Sequence, residues 1–524
     1  MSKRTHAIEE FFQRGVRLHG VGRLAEAEQV YRQVLAAAPK HADTLHMLGV
    51  LALQSGQLQA AVACIDQAIA QKPSAAMYHV NRANALLALG RLDDAMASCR
   101  QALRFKPNNA EAQQTLGHVL SDQGRPDEAV AAYAAALRVK PDLRDLHNDL
   151  ALALREANRL DEAAEALRTA ARRAPTDPHI AGNLAGILKD LGRLDEAESV
   201  YRDILRQHPD DAVAQYNLGD LLLVSGRFAE GWTQWEWRFR AEPATKRSFT
   251  QPRWRGEPLG GRTLLVHAEQ GMGDMIQFCR YLPMAAAGGR LVVEVHRPLV
   301  RLLSQLPGVA QVIGLGDTLP PFDVQCPMLS LPHVFGMASE RDIPSEMPYL
   351  RADSSLAERW RRRAADLTGL RVGLVWAGNP ERMRMDRRRS IAVERLAPLV
   401  GLPGISLVSL QKGTAATELA GSALGGALYD WTDELADFAD TAALVETLDL
   451  VIGVDTAVVH LAGAMGKPVW LLNRFDTCWR WLRGRDDSPW YPSLRQFRQP
   501  SPGDWDSVIT RVRDALIELA VAST

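Results

Sequence analysis

LVIGVDTAVVHLAGAMGKPVWLLN, residues 450–473, carries the clearest fold signal in the second half of this chain. Leu450–Val454 is an apolar, β-prone run. Asp455 offers a helix N-cap, and Thr456–Met465 predicts a short helix. Gly466 fits the left-handed residue after a helix, and Pro468 stops the helix from continuing. Val469–Leu472 is a second apolar strand. Strand, turn, helix and strand make the unit of a parallel α/β sheet, which binds ligands at the carboxyl ends of its strands. The N–H groups of Ala457 and Val458 would face such a site, and a helix N-terminus attracts phosphate. His460 lies about one helical turn further on. An ordinary βαβ unit with a capped helix has the same spacing.

Strand and helix alternate from Arg262 onward. Strands are expected at Thr263–His267, Leu291–Val295, Val309–Leu315 and Phe322–Cys326, with a helix at Ile276–Ala287 and a charged helix at Leu356–Leu367. A second series starts at Arg371 with VGLVWAG, ISLVSLQ, the 450–454 run and PVWLL. A last helix runs from Trp505 to about Leu519. In QGMGDMIQFCRY, Gly271 and Gly273 let the backbone turn tightly beside a ligand. Asp274 stands at a helix start, where cap and base are equally readable. The loop is no dinucleotide fingerprint, because the third Gly of GxGxxG is missing. Residues 380–389 hold five Arg against Glu381 and Asp386, after a strand end where a phosphate would lie. SLQKG sets Gln411 and Lys412 after the next strand.

The first half obeys a different rule. Pro39, Pro73, Pro107, Pro141, Pro175 and Pro209 recur every 34 residues. Gly22, Gly56, Gly90, Gly124, Gly192 and Gly226 keep the same period, with Asn158 in the missing slot. Small residues recur in step at Gly15, Gly49, Ala83, Gly117, Ala151, Ala185 and Gly219. A helix–turn–helix of this length and pattern is the tetratricopeptide signature, repeated about seven times over residues 6–240. Such arrays curl around a concave groove that takes peptide or protein. Asn81, Asn183 and Asn217 share one register in the first helices. Trp232, Trp235 and Trp237 close the array and are expected to pack on the next domain. Residues 241–261 read as a linker rich in Pro, Gly and Arg.

Composition narrows the functions. There are 61 basic and 62 acidic residues, so no global field draws the chain to nucleic acid or to a membrane surface. The five cysteines form no CxxC pair and read as reduced thiols of a cytoplasmic protein. The charged start lacks the apolar run of a signal peptide, and no stretch is apolar enough for a membrane span.

DTAVVHLAGAMGKPVWLL resembles the donor-site helix of GT-B glycosyltransferases, in particular the heptosyltransferase-like group and its bacterial members that carry tetratricopeptide repeats. QGMGDMIQF, DRRRSI, SLQKG and CWRWLRGRDDSPWYPSLRQF are similar to segments of the same group. The resemblance implies a multidomain chain: a helical solenoid (6–240), a linker (241–261), two Rossmann-like halves (262–365 and 366–500) and a C-terminal helix (501–524) that crosses back to the first half. It implies an inverting, metal-independent transfer from a nucleotide sugar, with no cofactor. Asp274 would be the general base. Gly271, Gly273, Arg389, Gln411, Lys412, Asp455, Thr456, Ala457 and His460 would hold the sugar nucleotide, with Trp479, Arg480 and Trp481 beside them. Arg382, Met383, Arg384 and Met385 depart from the family's loop. By likeness to the repeat arm of O-linked sugar transferases, Asn81, Asn183 and Asn217 would hold the acceptor backbone. The acceptor is then a protein, flagellin being one by analogy. Lipid or polysaccharide is the alternative acceptor, and a non-catalytic scaffold the alternative to an enzyme.

Overall fold

The computed structural model describes residues 3–142, 144–242, 247–378, 388–422 and 424–522. The 379–387 segment, with the departing residues 382–385, lies outside the described residues. The chain divides into two compact units, Met1–Asn183 and Leu184–Thr524.

The first unit is a run of antiparallel helix pairs, such as Ala42–Gln54 with Leu58–Gln71 and Ala76–Ala88 with Leu92–Phe105. Each first helix ends in a residue in the left-handed region, Gly56 at φ 72° and Gly90 at φ 72° among them. Glycine adopts this region without strain. Asn158 holds the same slot at φ 60°, as its short polar side chain allows. The small position has a packing cause. A β-carbon on Gly117 would stand 2.3 Å from Cε1 of Tyr133, and one on Gly49 would stand 2.5 Å from Cγ1 of Ile65. Ala61, Ala95 and Ala129 are fully buried across the same seams. Side chains also stitch successive repeats. His46 stacks on Tyr78 with ring centroids 4.4 Å apart, and Asn81 Nδ2 donates to its Nε2 at 2.7 Å.

The second unit opens with the final helices of the array and continues into two sheets. β1 (Thr263–His267), β2 (Arg290–Val295), β3 (Val309–Gly314) and β4 (Val324–Pro327) lie in the order β3-β2-β1-β4. β5 (Leu370–Val375), β6 (Ile405–Ser409), β7 (Tyr429–Asp430), β8 (Leu450–Val454), β9 (Val469–Asn473) and β10 (Leu494–Arg498) lie in the order β10-β9-β8-β5-β6-β7. Every pairing within both sheets is parallel. Counted from its own first strand, the second sheet runs 6-5-4-1-2-3, the doubly wound order. Its central strands β8 and β9 are buried along their whole length, as in a sheet covered on both faces.

Three expectations change here. The helix expected at Ile276–Ala287 starts earlier and breaks: Met272–Phe278, a tight turn at Cys279–Tyr281, then Leu282–Ala285. β7 and β10 have no counterpart among the expected strands. The C-terminal helix, Trp505–Ala522, does not cross to the first sheet. Its apolar stripe of Trp505, Val508, Ile509, Val512 and Leu516 joins the core of Val372, Leu374, Ile452 and Leu472 under the second sheet. That stripe recurs at helical spacing and matches the sheet's open face, so burial there is satisfied locally. Trp232 does pack onto the α/β region, with ring centroids 5.2 Å from Trp479 and 6.0 Å from Phe278. Beside it, fully buried Arg238 pairs with Glu269 and Glu236 at 2.9 Å each.

Candidate functional site

In the second sheet the winding reverses between β5 and β8, and ligands of doubly wound sheets sit outside that point. The end of β5 is fixed by Gln411. Its Oε1 accepts from the N–H groups of Trp376 and Ala377 at 3.0 and 2.8 Å, and its Nε2 donates to Ala377 O at 3.1 Å. Gln411 is thus a buried brace between β5 and β6. Lys412 turns away from the strand end and donates to the carbonyls of Thr432, at 2.9 Å, and Leu435.

At the end of β8 the helix runs from Ala457 to Ala464, and its N-cap is Thr456. This corrects the expectation that Asp455 caps it. The Asp455 carboxylate is instead drawn into a charge cluster. His460 Nε2 lies 3.5 Å from Oδ1, and Arg389 Nη1 lies 3.8 Å from Oδ2. The Cys478 thiol donates to Oδ2 at 3.7 Å. Burial alone would raise the Asp455 pKa, but the His460 hydrogen bond and the charges of Arg389 and Arg480 hold it far below the carboxylate range. Burial and the neighbouring Asp455 push the Cys478 thiol up to about 11. His460 is itself oriented from behind: Nδ1 shares a 2.8 Å hydrogen bond with Tyr491 Oη, and the ring stacks on Trp481 at 5.0 Å.

The loop after β1 faces this cluster. Gly271 caps helix Met272–Phe278 with an extended backbone, and Asp274 is the third residue of that helix. Asp274 Oδ2 accepts from the Gly271 N–H at 3.0 Å. Its other oxygen pairs with Arg480, and both side chains are largely buried at 13% and 15% exposure. The Arg480 guanidinium lies 4.2 Å over the Trp479 ring. Burial would lower the Arg480 pKa, but Asp274, Cys478 and Asp455 raise it well above its ordinary value. Neither Gly271 nor Gly273 is among the residues with a positive φ, so neither is held there by a left-handed backbone. Gly273 instead allows close packing: a β-carbon there would stand 2.9 Å from Cδ2 of His460 and 3.5 Å from Cα of Ala457.

Asp274, Arg480, Asp455, Arg389, His460, Thr456 and Ala457 therefore come together where the loop after β1 meets the end of β8. Gln411 and Lys412 follow β6, Gln411 bonded to the end of β5 and Lys412 to the carbonyls of Thr432 and Leu435. Asn81 and Asn183 lie in the first unit, where Asn183 Nδ2 donates to Asn148 Oδ1 at 2.6 Å. Asn217 lies on helix Ala212–Val224 of the second unit. Arg388, Asp476, Cys478 and Tyr491 escape sequence reasoning, since nothing in their local pattern marks residues that meet across long separations. Among the described residues no group of His, Cys, Asp and Glu could hold a metal ion, and no helix is long and apolar enough to cross a membrane.

Residues 16–218 match the family model of the cilia and flagella-associated protein 70 C-terminal domain. The helical array is of the tetratricopeptide type. Protein FlbA of Caulobacter vibrioides is 28% identical over 334 residues, covering 56% of this chain and 53% of FlbA. The chain thus spans about half the length of the curated relative it matches. Among solved structures, TTC0263, a thermophilic TPR protein of Thermus thermophilus, is 24% identical with a TM-score of 0.30, over 34% of this chain and 98% of its own. PilF of Pseudomonas aeruginosa is 19% identical with a TM-score of 0.37, over 41% and 97%.

Proposed function

We propose that the chain is a GT-B glycosyltransferase that moves a sugar from a nucleotide sugar to a hydroxyl of a protein recruited by the repeat array, flagellin being one such acceptor. The observation that carries this reading is the meeting of Asp274 with Arg480, beside Asp455 and the start of helix Ala457–Ala464, outside the reversal point of the second sheet. A carboxylate from one sheet's loop and cations with a helix N-terminus from the other make a divided site.

The chemistry follows from that division. The acceptor oxygen attacks the anomeric carbon and the bond to the diphosphate breaks. Negative charge then grows on the leaving diphosphate, where Arg389, Arg480 and the N–H groups at the helix start stabilise it. The acceptor proton goes to Asp274, whose carboxylate is held in place by Arg480 and the Gly271 N–H. Asp455 fixes Arg389 and His460 in place. Lys412, tied to the carbonyls of Thr432 and Leu435, has to release one of them to reach a phosphate.

The test is direct. The purified chain is given a panel of nucleotide sugars together with surface proteins from its own cells, and intact-protein mass is measured. A mass increase of one sugar on an acceptor, dependent on one donor, is the expected result. Neither transfer nor nucleotide-sugar hydrolysis with any member of the panel would sink the enzymatic reading.

A further inference from the structure

We propose that Asp190, at the end of a repeat helix, is a positioning residue for the diphosphate site: it clamps Arg388 and thereby sets Arg389. The inference rests on the nucleotide-sugar reading of the cleft and adds a residue of the solenoid to it.

Asp190 closes helix Pro178–Asp190 and is only 3% exposed. Its Oδ2 lies 3.4 Å from Arg388 Nη1, and Asp476 Oδ2 lies 2.9 Å from Arg388 Nη2. The Arg388 and Asp476 side chains are each 5% exposed. Arg388 is thus held between two buried carboxylates, of which Asp476 is shared with Arg474 at 3.6 Å, and loss of one partner in such a buried charge cluster is costly. The backbone takes part as well. Arg483 Nη2 donates to Asp190 O at 2.8 Å. Gly192 follows at φ +80°, and a β-carbon on it would stand 2.2 Å from Arg483 Nη1. An arginine of the α/β region thus lies against the bare glycine that follows this repeat helix.

What Arg388 does is decided by its neighbours. Ser390 Oγ accepts from the Gly378 N–H at 3.1 Å, and the Ile391 N–H donates to Trp376 O at 2.8 Å. Residues 390 and 391 are thus fastened to the end of β5, and residue 388 is fastened to Asp190 and Asp476. Arg389 lies between two anchored points, with its guanidinium 3.8 Å from Asp455. Releasing Arg388 frees one of the two anchors that aim Arg389.

The experiment is a double-mutant cycle on the full chain, which separates coupled from independent effects. Calorimetry measures binding of UDP, GDP, ADP, CDP and dTDP, and the tightest binder is carried forward. Asp190→Asn is expected to weaken it roughly tenfold, the worth of a charge-assisted contact. In the Arg389→Met background the same change is expected to have less than about a twofold effect. Asp190→Glu, which keeps the carboxylate, restores most of the loss. Equal weakening in both backgrounds, or none in either, overturns the inference and leaves the enzymatic reading intact. A parent chain that binds none of the five overturns both. Should Asp190→Asn not fold, Arg388→Lys takes its place in the cycle with the same expected pattern.

Discussion

Gly273 and His460 meet between two helix starts so closely that a single added methyl would collide: a β-carbon on Gly273 comes within 2.9 Å of His460 Cδ2. His460 cannot retreat, because Tyr491 holds its Nδ1 and Trp481 covers its ring. Gly273→Ala is therefore expected to push the two helices apart. The cost should be about 1–3 kcal/mol, as for other overpacked sites. Gly271→Ala is the control, since its β-carbon meets only Asp274 Oδ2, at 3.4 Å. Melting curves of the two variants should separate clearly. Equal behaviour would remove Gly273 from the contact between the halves.

Asn158 offers a second comparison, in the array. It sits at φ 60° where the other repeats use Gly. Asn158→Ala should destabilise by about 1 kcal/mol, because Ala keeps the β-carbon that opposes the left-handed backbone but loses the short polar side chain that eases it. Asn158→Gly should be close to neutral. Denaturant titration of the full chain reads both.

Acid should loosen the protein through two buried imidazoles. Burial lowers the pKa of His46 to about 4 and that of His267 to about 4. An unfolded chain protonates its histidines near 6.5, whereas these two stay neutral in the fold until about pH 4. Their stabilising contribution is thus complete above pH 6.5 and is lost as pH falls toward 4. Melting temperature measured across that window should drop, and His46→Gln should flatten part of the slope. A parent profile that stays level from pH 7 to 4 would contradict the burial argument.

Local grammar makes much of the fold legible. The 34-residue spacing of Pro and Gly places the helix pairs, and apolar runs bounded by turn residues place β1 and β8 at their observed limits. Asp274, Asp455 and His460 are visible because each sits within a few residues of a strand end or helix start. Arg480 reads from sequence only as wall material, since its partner Asp274 lies 206 residues away. The Asp190–Arg388 contact spans 198 residues and joins two kinds of architecture. β10 is hidden because LRQFR mixes charge with apolar residues, as an edge strand does. The fate of Asp455 turns on competition: its capping propensity loses to Arg389 and His460, which arrive only through tertiary folding.

The most informative change is Asp274→Asn, read together with Arg480→Gln. The Asn side chain keeps the shape and can still accept from the Gly271 N–H, so the start of helix Met272–Phe278 should survive. It cannot take a proton, and it leaves Arg480 without its anion in a largely buried position. Melting temperature should fall whether Asp274 is a base or only an ion-pair partner, so stability alone does not decide. The double variant does. If Asp274 serves only to neutralise Arg480, then removing the guanidinium too should recover stability, and activity should return to the level of Arg480→Gln alone. If Asp274 accepts the acceptor's proton, the double variant should regain stability and remain about 10²–10⁴-fold slow at saturating donor. Nucleotide affinity should not fall on Asp274→Asn, since the proton leaves the acceptor and the released Arg480 keeps its charge for the diphosphate. Initial rates with the protein acceptor, a melting curve and calorimetry on the four chains of this cycle give all three readings. A double variant that runs as fast as Arg480→Gln would strip Asp274 of its catalytic role and leave it a charge partner at the seam between the two sheets.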